Sequence, residues 1–250
     1  MDIGIIAMLA GAGLLGGVMN ALAGGATLVT FPAMLAAGIP PISANASSAV
    51  AVTPGHMAAA IADRNMLRGF GPTLWLLLGL GMAAGAGGSW LLLVTPEATF
   101  RQFVPVLIGA ATLFFALGNR IRRQTDGVEH RPAHRLRAVL VIPSCIYGGY
   151  FGAGLGIMLL AVITLTGPES LRVANTLKNM LASVVSIAAI TIFVVQGAIS
   201  WPETLVMLTA ALIGGLIGSR LVAILPPRPI RLAIIALGTV MTVLYAYRMW

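Results

Sequence analysis

The order of apolar and polar positions along this chain is dominated by long uncharged blocks. Eight are read, at about 3–37, 43–62, 72–94, 102–118, 138–166, 179–196, 203–225 and 232–247. Most reach the roughly 17 residues that a helix needs to cross hydrocarbon, and in lipid only helices or closed barrels satisfy their own backbone. The pattern predicts an all-α integral membrane protein. From Ile3 to Ala62 there is no charged residue at all, so the first block is longer than one crossing.

The blocks divide about a polar, basic segment, which predicts a first transmembrane repeat at 1–118, a linker at 119–137 and a second repeat at 138–250. At an offset of 130, Ala44-Asn45 falls on Ala174-Asn175, Gly88-Ser89 on Gly218-Ser219, Pro96 on Pro226 and Arg101 on Arg231. At 132, Gly16-Gly17 falls on Gly148-Gly149. Each half has one long block and then three ordinary ones. Interruptions fall at matching places, Asn20-Ala-Leu-Ala-Gly-Gly25 in the first block and Gly148–Gly156 in the fifth. Each half is therefore expected to open with a broken or hairpin segment, either two full crossings or a re-entrant pair, followed by three transmembrane helices. Interrupted segments in corresponding positions of two halves point to a transporter's solute site; close helix packing is the other use such glycines have. Gly81, Gly85 and Ser89, echoed by Ala211, Gly215 and Ser219, lie on uninterrupted helices and read as packing faces.

Composition reinforces this and changes the meaning of the charge. Hydrophobic residues make up 58% and charged residues 9%, against about a quarter charged in soluble domains. The net charge of +8 would otherwise suggest nucleic acid, but Arg120, Arg122, Arg123, Arg131, Arg135 and Arg137 share the central segment. Such a cluster marks the cytoplasmic side. With it inside, Arg64 and Arg68 also lie inside and the uncharged Gly38–Ile42 turn outside. Arg172, Arg228 and Arg231 fall inside only if the fifth block returns to its starting side, which makes the repeats inverted. The N-terminus has no basic region before its apolar run and reads as mature structure rather than signal peptide. One cysteine, Cys145, leaves no intrachain disulfide, and neither cofactor nor metal is expected.

The chemistry is sparse. All seven acidic residues, Asp2, Asp63, Glu97, Asp126, Glu129, Glu169 and Glu203, sit at block boundaries or in loops, so no carboxylate proton relay crosses the blocks. Lys178 is the only lysine. At helical spacing it shares a face with Asn175, Asn179, Ala182 and Ser186, while the matching helix carries Asn45, Ser48, Ala49 and His56. Amides and hydroxyls with one ammonium suit a small anion. A lysine about 9 Å below Arg172 can instead snorkel toward headgroups. His56 can carry a proton, or satisfy a carbonyl freed by Pro54.

These residues resemble a known family. Gly16-Gly17, Asn20-Ala-Leu-Ala-Gly-Gly-Ala-Thr-Leu-Val-Thr-Phe-Pro32, Ala37-Gly-Ile-Pro-Pro41 and Ala44-Asn-Ala-Ser-Ser-Ala49 resemble the first repeat of the TauE/SafE membrane permeases. Gly148-Gly-Tyr-Phe-Gly-Ala-Gly-Leu-Gly156 and Ala174-Asn-Thr-Leu-Lys-Asn179 resemble the second. The first motif departs in reading Ala-Gly-Gly-Ala where a longer glycine run is expected at the hairpin tip. The resemblance implies a bacterial inner-membrane secondary transporter that exports sulfite or organosulfonates, with Asn45, Asn175 and Lys178 along the path. The expected solute contacts are Asn20, Asn45, Ser48, Asn175, Lys178 and Asn179, with His56 as a candidate proton carrier. The expected partners are a small anionic solute and the lipid bilayer, with no nucleic acid; a homodimer is compatible. Two alternatives stay open: an intramembrane enzyme using Ser144-Cys145 with His56 as base, and a non-transporting sensor or assembly subunit acting through the basic segment.

Overall fold

The structure is a computed structural model and describes residues 1–22, 25–125, 133–167, 169–221 and 227–249. Ala23 and Gly24 of the first interruption, Asp126, Glu129 and Arg131 of the central segment, and Pro226 lie outside the described residues. So do the side chains of Arg68, Arg120, Arg122, Arg123, Arg228 and Arg231.

The described residues form α-helices and one 3-10 turn, with no strand among them. The helices are α1 (Ile3–Leu22), α2 (Thr27–Ala36), α3 (Pro41–Ala62), α4 (Pro72–Val94), α5 (Glu97–Thr125), α6 (His134–Tyr150), α7 (Leu155–Thr166), α8 (Leu171–Val195), α9 (Trp201–Leu221) and α10 (Pro227–Met249). The 3-10 turn, Arg64–Phe70, joins α3 to α4. Five stretches are long and apolar enough to span a membrane: Ile3–Ala21, Pro72–Val94, Glu97–Leu117, Leu171–Val195 and Trp201–Arg220. Proline at the first helical position starts α3 and α4, where its missing N–H costs nothing.

Both long blocks break where expected. Each gives a long arm and a short one: α1 with α2, and α6 with α7. At 1.5 Å per residue the short arms reach only about 15–18 Å, half a membrane. The second break is built by Gly152 (φ 77°) and Gly154 (φ 80°), a left-handed conformation that side-chain-bearing residues resist. Tyr147 closes it by donating its hydroxyl to the Ala153 carbonyl at 2.8 Å. The described parts of the central polar segment are mostly helical, because α5 runs on to Thr125 and α6 begins at His134.

Contacts between helices before and after the central segment come in matching pairs. The broadest joins α1 to α9, and its counterpart joins α6 to α4. The α4–α8 contact is matched by α9–α3, while α3 meets α8 and α5 meets α10 across the middle. Glycine makes these approaches close. A Cβ on Gly17 would strike the Ala211 carbonyl, and one on Gly214 the Leu14 carbonyl. Likewise a Cβ on Gly149 would strike the Gly85 carbonyl, and one on Gly88 the Ile146 carbonyl. The glycine-rich run from Gly148 thus divides its work: Gly149 serves packing, whereas Gly152 and Gly154 make the turn. The face of α4 formed by Gly81, Gly85 and Ser89 is a packing surface, as its spacing implied; on α9, Ala211 and Gly215 lie against α1, but Ser219 is exposed and the closest approaches are made by Gly214 and Gly218.

Central helices α3 and α8 run in opposite directions. Asp63, just past α3, pairs with Arg172 at the start of α8 at 3.0 Å. At the other end, Ser47 Oγ near the start of α3 accepts the Ser200 N–H beyond α8 at 3.0 Å. There the 37–40 and 199–203 turns line one shared pocket. The end marked by Asp63 and Arg172 also holds Arg137, which is fully buried. Its Nη2 meets Glu169 at 2.7 Å and its Nε donates to Thr166 Oγ1 at 3.0 Å. Its guanidinium carbon lies 6.0 Å from the centre of the Phe70 ring. Arg137 therefore differs from the solvated linker arginine that its neighbourhood in sequence suggested.

Candidate functional site

Helix α8 is capped by Ser170, whose Oγ accepts the Val173 N–H at 3.4 Å. Two turns further in, Lys178 is half-buried and Asn179 is buried. The lysine stem lies on Gly156, where an added Cβ would sit 3.6 Å from Cδ. Gly156 is in the first turn of α7. The far end of α7, at Thr166, is the end tied to Arg137 and to the Ala133 N–H. Gly156 is ten residues, or about 15 Å, deeper than that end. The Lys178 side chain is therefore directed inward, along the helix break, and not back toward the Arg172 surface. Among the described residues, no carboxylate or other side chain makes an ion pair with it.

His56 reaches the same place from α3. It lies beside the Asn179 side chain of α8 and within electrostatic reach of Lys178. Asn20, near the end of α1, lies against the neighbouring Gly55, where an added Cβ would be 2.7 Å from Asn20 Nδ2. Thus His56, Lys178 and Asn179 converge from α3 and α8 beside the start of α7, with Asn20 of α1 next to the same turn of α3. The gathered groups are an ammonium, side-chain amides, an imidazole and the amide end of a helix. All except the amide oxygens can donate, and a helix start favours negative charge.

The other expected residues lie elsewhere. Asn45 is 3% exposed and donates its Nδ2 to the Tyr150 carbonyl at 3.0 Å, at the end of α6. It therefore flanks the second break from the opposite side to Lys178. Ser48 is buried and shares a 2.6 Å hydrogen bond with Thr30 of α2. Asn175 is exposed, one turn outward from Lys178, so the two asparagines of the repeated motif have different surroundings. Four of the described acidic side chains are engaged at helix ends. Asp63 pairs with Arg172, Glu169 with Arg137, Glu97 accepts the Ile42 N–H, and Glu203 bonds Ser200.

Sequence reasoning did not single out Thr30, Gly55 or Gly156. Thr30 and Gly156 sit inside the quoted motifs, and Gly55 adjoins His56, but only the folded packing shows what they touch. The Ser144-Cys145 pair is not arranged for nucleophilic chemistry. Ser144 gives its hydroxyl to the Leu140 carbonyl at 2.9 Å, and Cys145 is buried in an apolar cluster with Leu181 and Val185.

The family model described as Sulfite exporter TauE/SafE matches residues 9–245, nearly the whole chain. The chain belongs to the TauE/SafE family. A "Probable membrane transporter protein" of Haemophilus influenzae is 30% identical over 255 residues, covering 99% of this chain and 97% of that protein. "Probable membrane transporter protein YfcA" of Escherichia coli is 27% identical over 237 residues, with coverage of 94% and 87%. A similarly named protein of Sinorhizobium is 28% identical over 222 residues, covering 86% of this chain and 82% of that protein. No solved structure matches the chain. This TauE/SafE chain is thus a multi-pass membrane protein of a transporter family.

Proposed function

We propose that the chain is a secondary transporter that exports small anions, sulfite or organosulfonates, across a bacterial inner membrane with its central segment in the cytoplasm. The observation that carries this reading is the unpaired Lys178 ammonium, turned inward onto the start of α7 beside His56 and Asn179. A charge in that position is costly in lipid unless it has a partner. A monovalent oxyanion supplies the partner, and the donors around it replace the water that the anion gives up.

Two features support alternating access around this site. Antiparallel α3 and α8, with matching partnerships on either side, suit two inverted repeats that rock against each other. The site also lies at a break rather than within a continuous helix, where backbone groups are free to meet a solute. Export needs no coupled ion, because an inside-negative potential favours loss of one negative charge by about 2.3 kcal/mol per 100 mV.

The test is a solute screen in proteoliposomes, with the membrane potential and the pH gradient set independently. The expected result is potential-driven flux of sulfite and of at least one sulfonate, with little change when only the pH gradient is removed. Absence of sulfite and sulfonate flux from correctly inserted protein overturns the reading.

A further inference from the structure

The second break has two chemically opposite ends, and the anion site uses only one of them. At the start of α7 the Gly156 amide has no backbone acceptor among the described residues, while Leu155, Ile157 and Met158 donate to the Gly152 and Gly154 carbonyls, and Lys178 lies there. At the end of α6 the backbone presents carbonyls, and Asn45 lies there. Helix ends leave such groups without intrahelical partners. The Tyr147 carbonyl takes the N–H groups of Phe151 and Gly152, and the Tyr150 carbonyl takes Asn45 Nδ2. Among the described residues no backbone donor reaches the Gly148 and Gly149 carbonyls.

Asn45 is unusual among the polar groups of α3. Ser47 accepts from Ser200, Ser48 bonds Thr30, Thr53 bonds the Ala49 carbonyl, and His56 lies beside the Asn179 side chain. Asn45 Oδ1 is buried and has no partner. The amide cannot be turned over to cure this, since that would place its oxygen against the Tyr150 carbonyl oxygen. Holding the end of α6 accounts for the donor half of this amide and leaves the acceptor half unexplained. A buried acceptor without a partner is a substantial penalty in a residue that otherwise fits its place.

We propose that the carbonyl end of α6 is a binding site for a resident monovalent cation, sodium in the first instance, held by Asn45 Oδ1 and the free carbonyls of the last α6 turn. Every unused group there is an oxygen acceptor, which suits a hard cation. The negative end of the α6 dipole acts in the same direction, and half-helix carbonyl ends hold sodium in other broken-helix carriers. No carboxylate is among these ligands, and divalent ions ordinarily require one or more. Asn45 is sealed from solvent, so the ion stays with the closed protein rather than travelling with the anion. The site is independent of which anion Lys178 meets.

The experiment is thermal melting and sodium titration of the purified full chain in detergent. Chloride and ionic strength are held constant while sodium is exchanged for potassium or choline. Sodium is expected to raise the melting temperature by at least about 2–4 °C over choline. Asn45→Leu is expected to lose that difference. Asn45→Asp, which adds a charge to the same oxygen, is expected to bind sodium about tenfold or more tightly. If Asn45→Leu does not fold, the wild-type and Asn45→Asp titrations decide. Equal melting in all three salts overturns the proposal and leaves a water as the partner of Oδ1. So does a sodium response that Asn45→Leu retains or that Asn45→Asp fails to strengthen.

Discussion

Arg137 shows how a residue's setting can be hidden from its neighbours in sequence. It is the last of six arginines in a polar segment, yet its side chain is 1% exposed and bonded to Glu169 and Thr166. The partner carboxylate lies 32 positions later, beyond a complete hairpin, so no local pattern announces the pair. Gly167 is tied to it, because a Cβ there would strike Arg137 Nη2. Breaking such a pair strands a charge, whereas replacing both members with apolar groups is often neutral. Glu169→Leu is therefore expected to destabilise the chain by about 3–5 kcal/mol, and the double change Arg137→Leu/Glu169→Leu to recover most of it. Melting of the purified variants in detergent checks this; a double variant no better than the single one contradicts it. Lys178 is the opposite case. Its singularity and its asparagine neighbours drew attention in sequence. Its direction, inward onto Gly156, depends on how α7 folds back and is not encoded nearby.

Among the elements, the breaks and most helices were legible because uncharged blocks and glycine clusters report directly on membrane crossing. The short arms α2 and α7 were not resolved by pattern, since an apolar run reads alike at half and full span. Glycine function was also only partly legible. Gly79, Gly87 and Gly88 look interchangeable in α4, but a Cβ at Gly88 would strike the Ile146 carbonyl while Gly79 and Gly87 face open space. Gly88→Ala is expected to cost at least about 1–3 kcal/mol through forced separation of α4 and α6. Gly87→Ala is expected to be neutral or slightly stabilising through its helix propensity. Size-exclusion profiles and melting curves of the two variants distinguish the outcomes, and equal behaviour contradicts the packing assignment. The asparagine motif repeated at Asn45 and Asn175 was legible as a motif. Its unequal use was not, because burial of Asn45 depends on the end of α6, while Asn175 stays exposed.

For the whole molecule, charge asymmetry and the repeat offsets suggested two halves, and the folded chain pairs corresponding helices in matching ways. Its halves are joined at one end by Asp63–Arg172 and at the other by Ser47–Ser200. If the halves rock, these contacts cannot both persist through a cycle. Cysteines at 63 and 172, joined by a flexible bis-maleimide, are expected to stop transport when the linker is short and to permit it when long. The native Cys145 is buried and adds little background; transport unaffected by the shortest linker contradicts rocking at this end. The proposed function requires that Lys178 meet the transported anion. It is tested most directly by potential-driven sulfite flux in proteoliposomes carrying wild-type protein or Lys178→Met, each shown to be folded and inserted. The expected result is flux at the level of empty liposomes for Lys178→Met, with partial flux for Lys178→Arg, whose broader guanidinium fits the same charge less well. Wild-type flux in Lys178→Met would contradict the account.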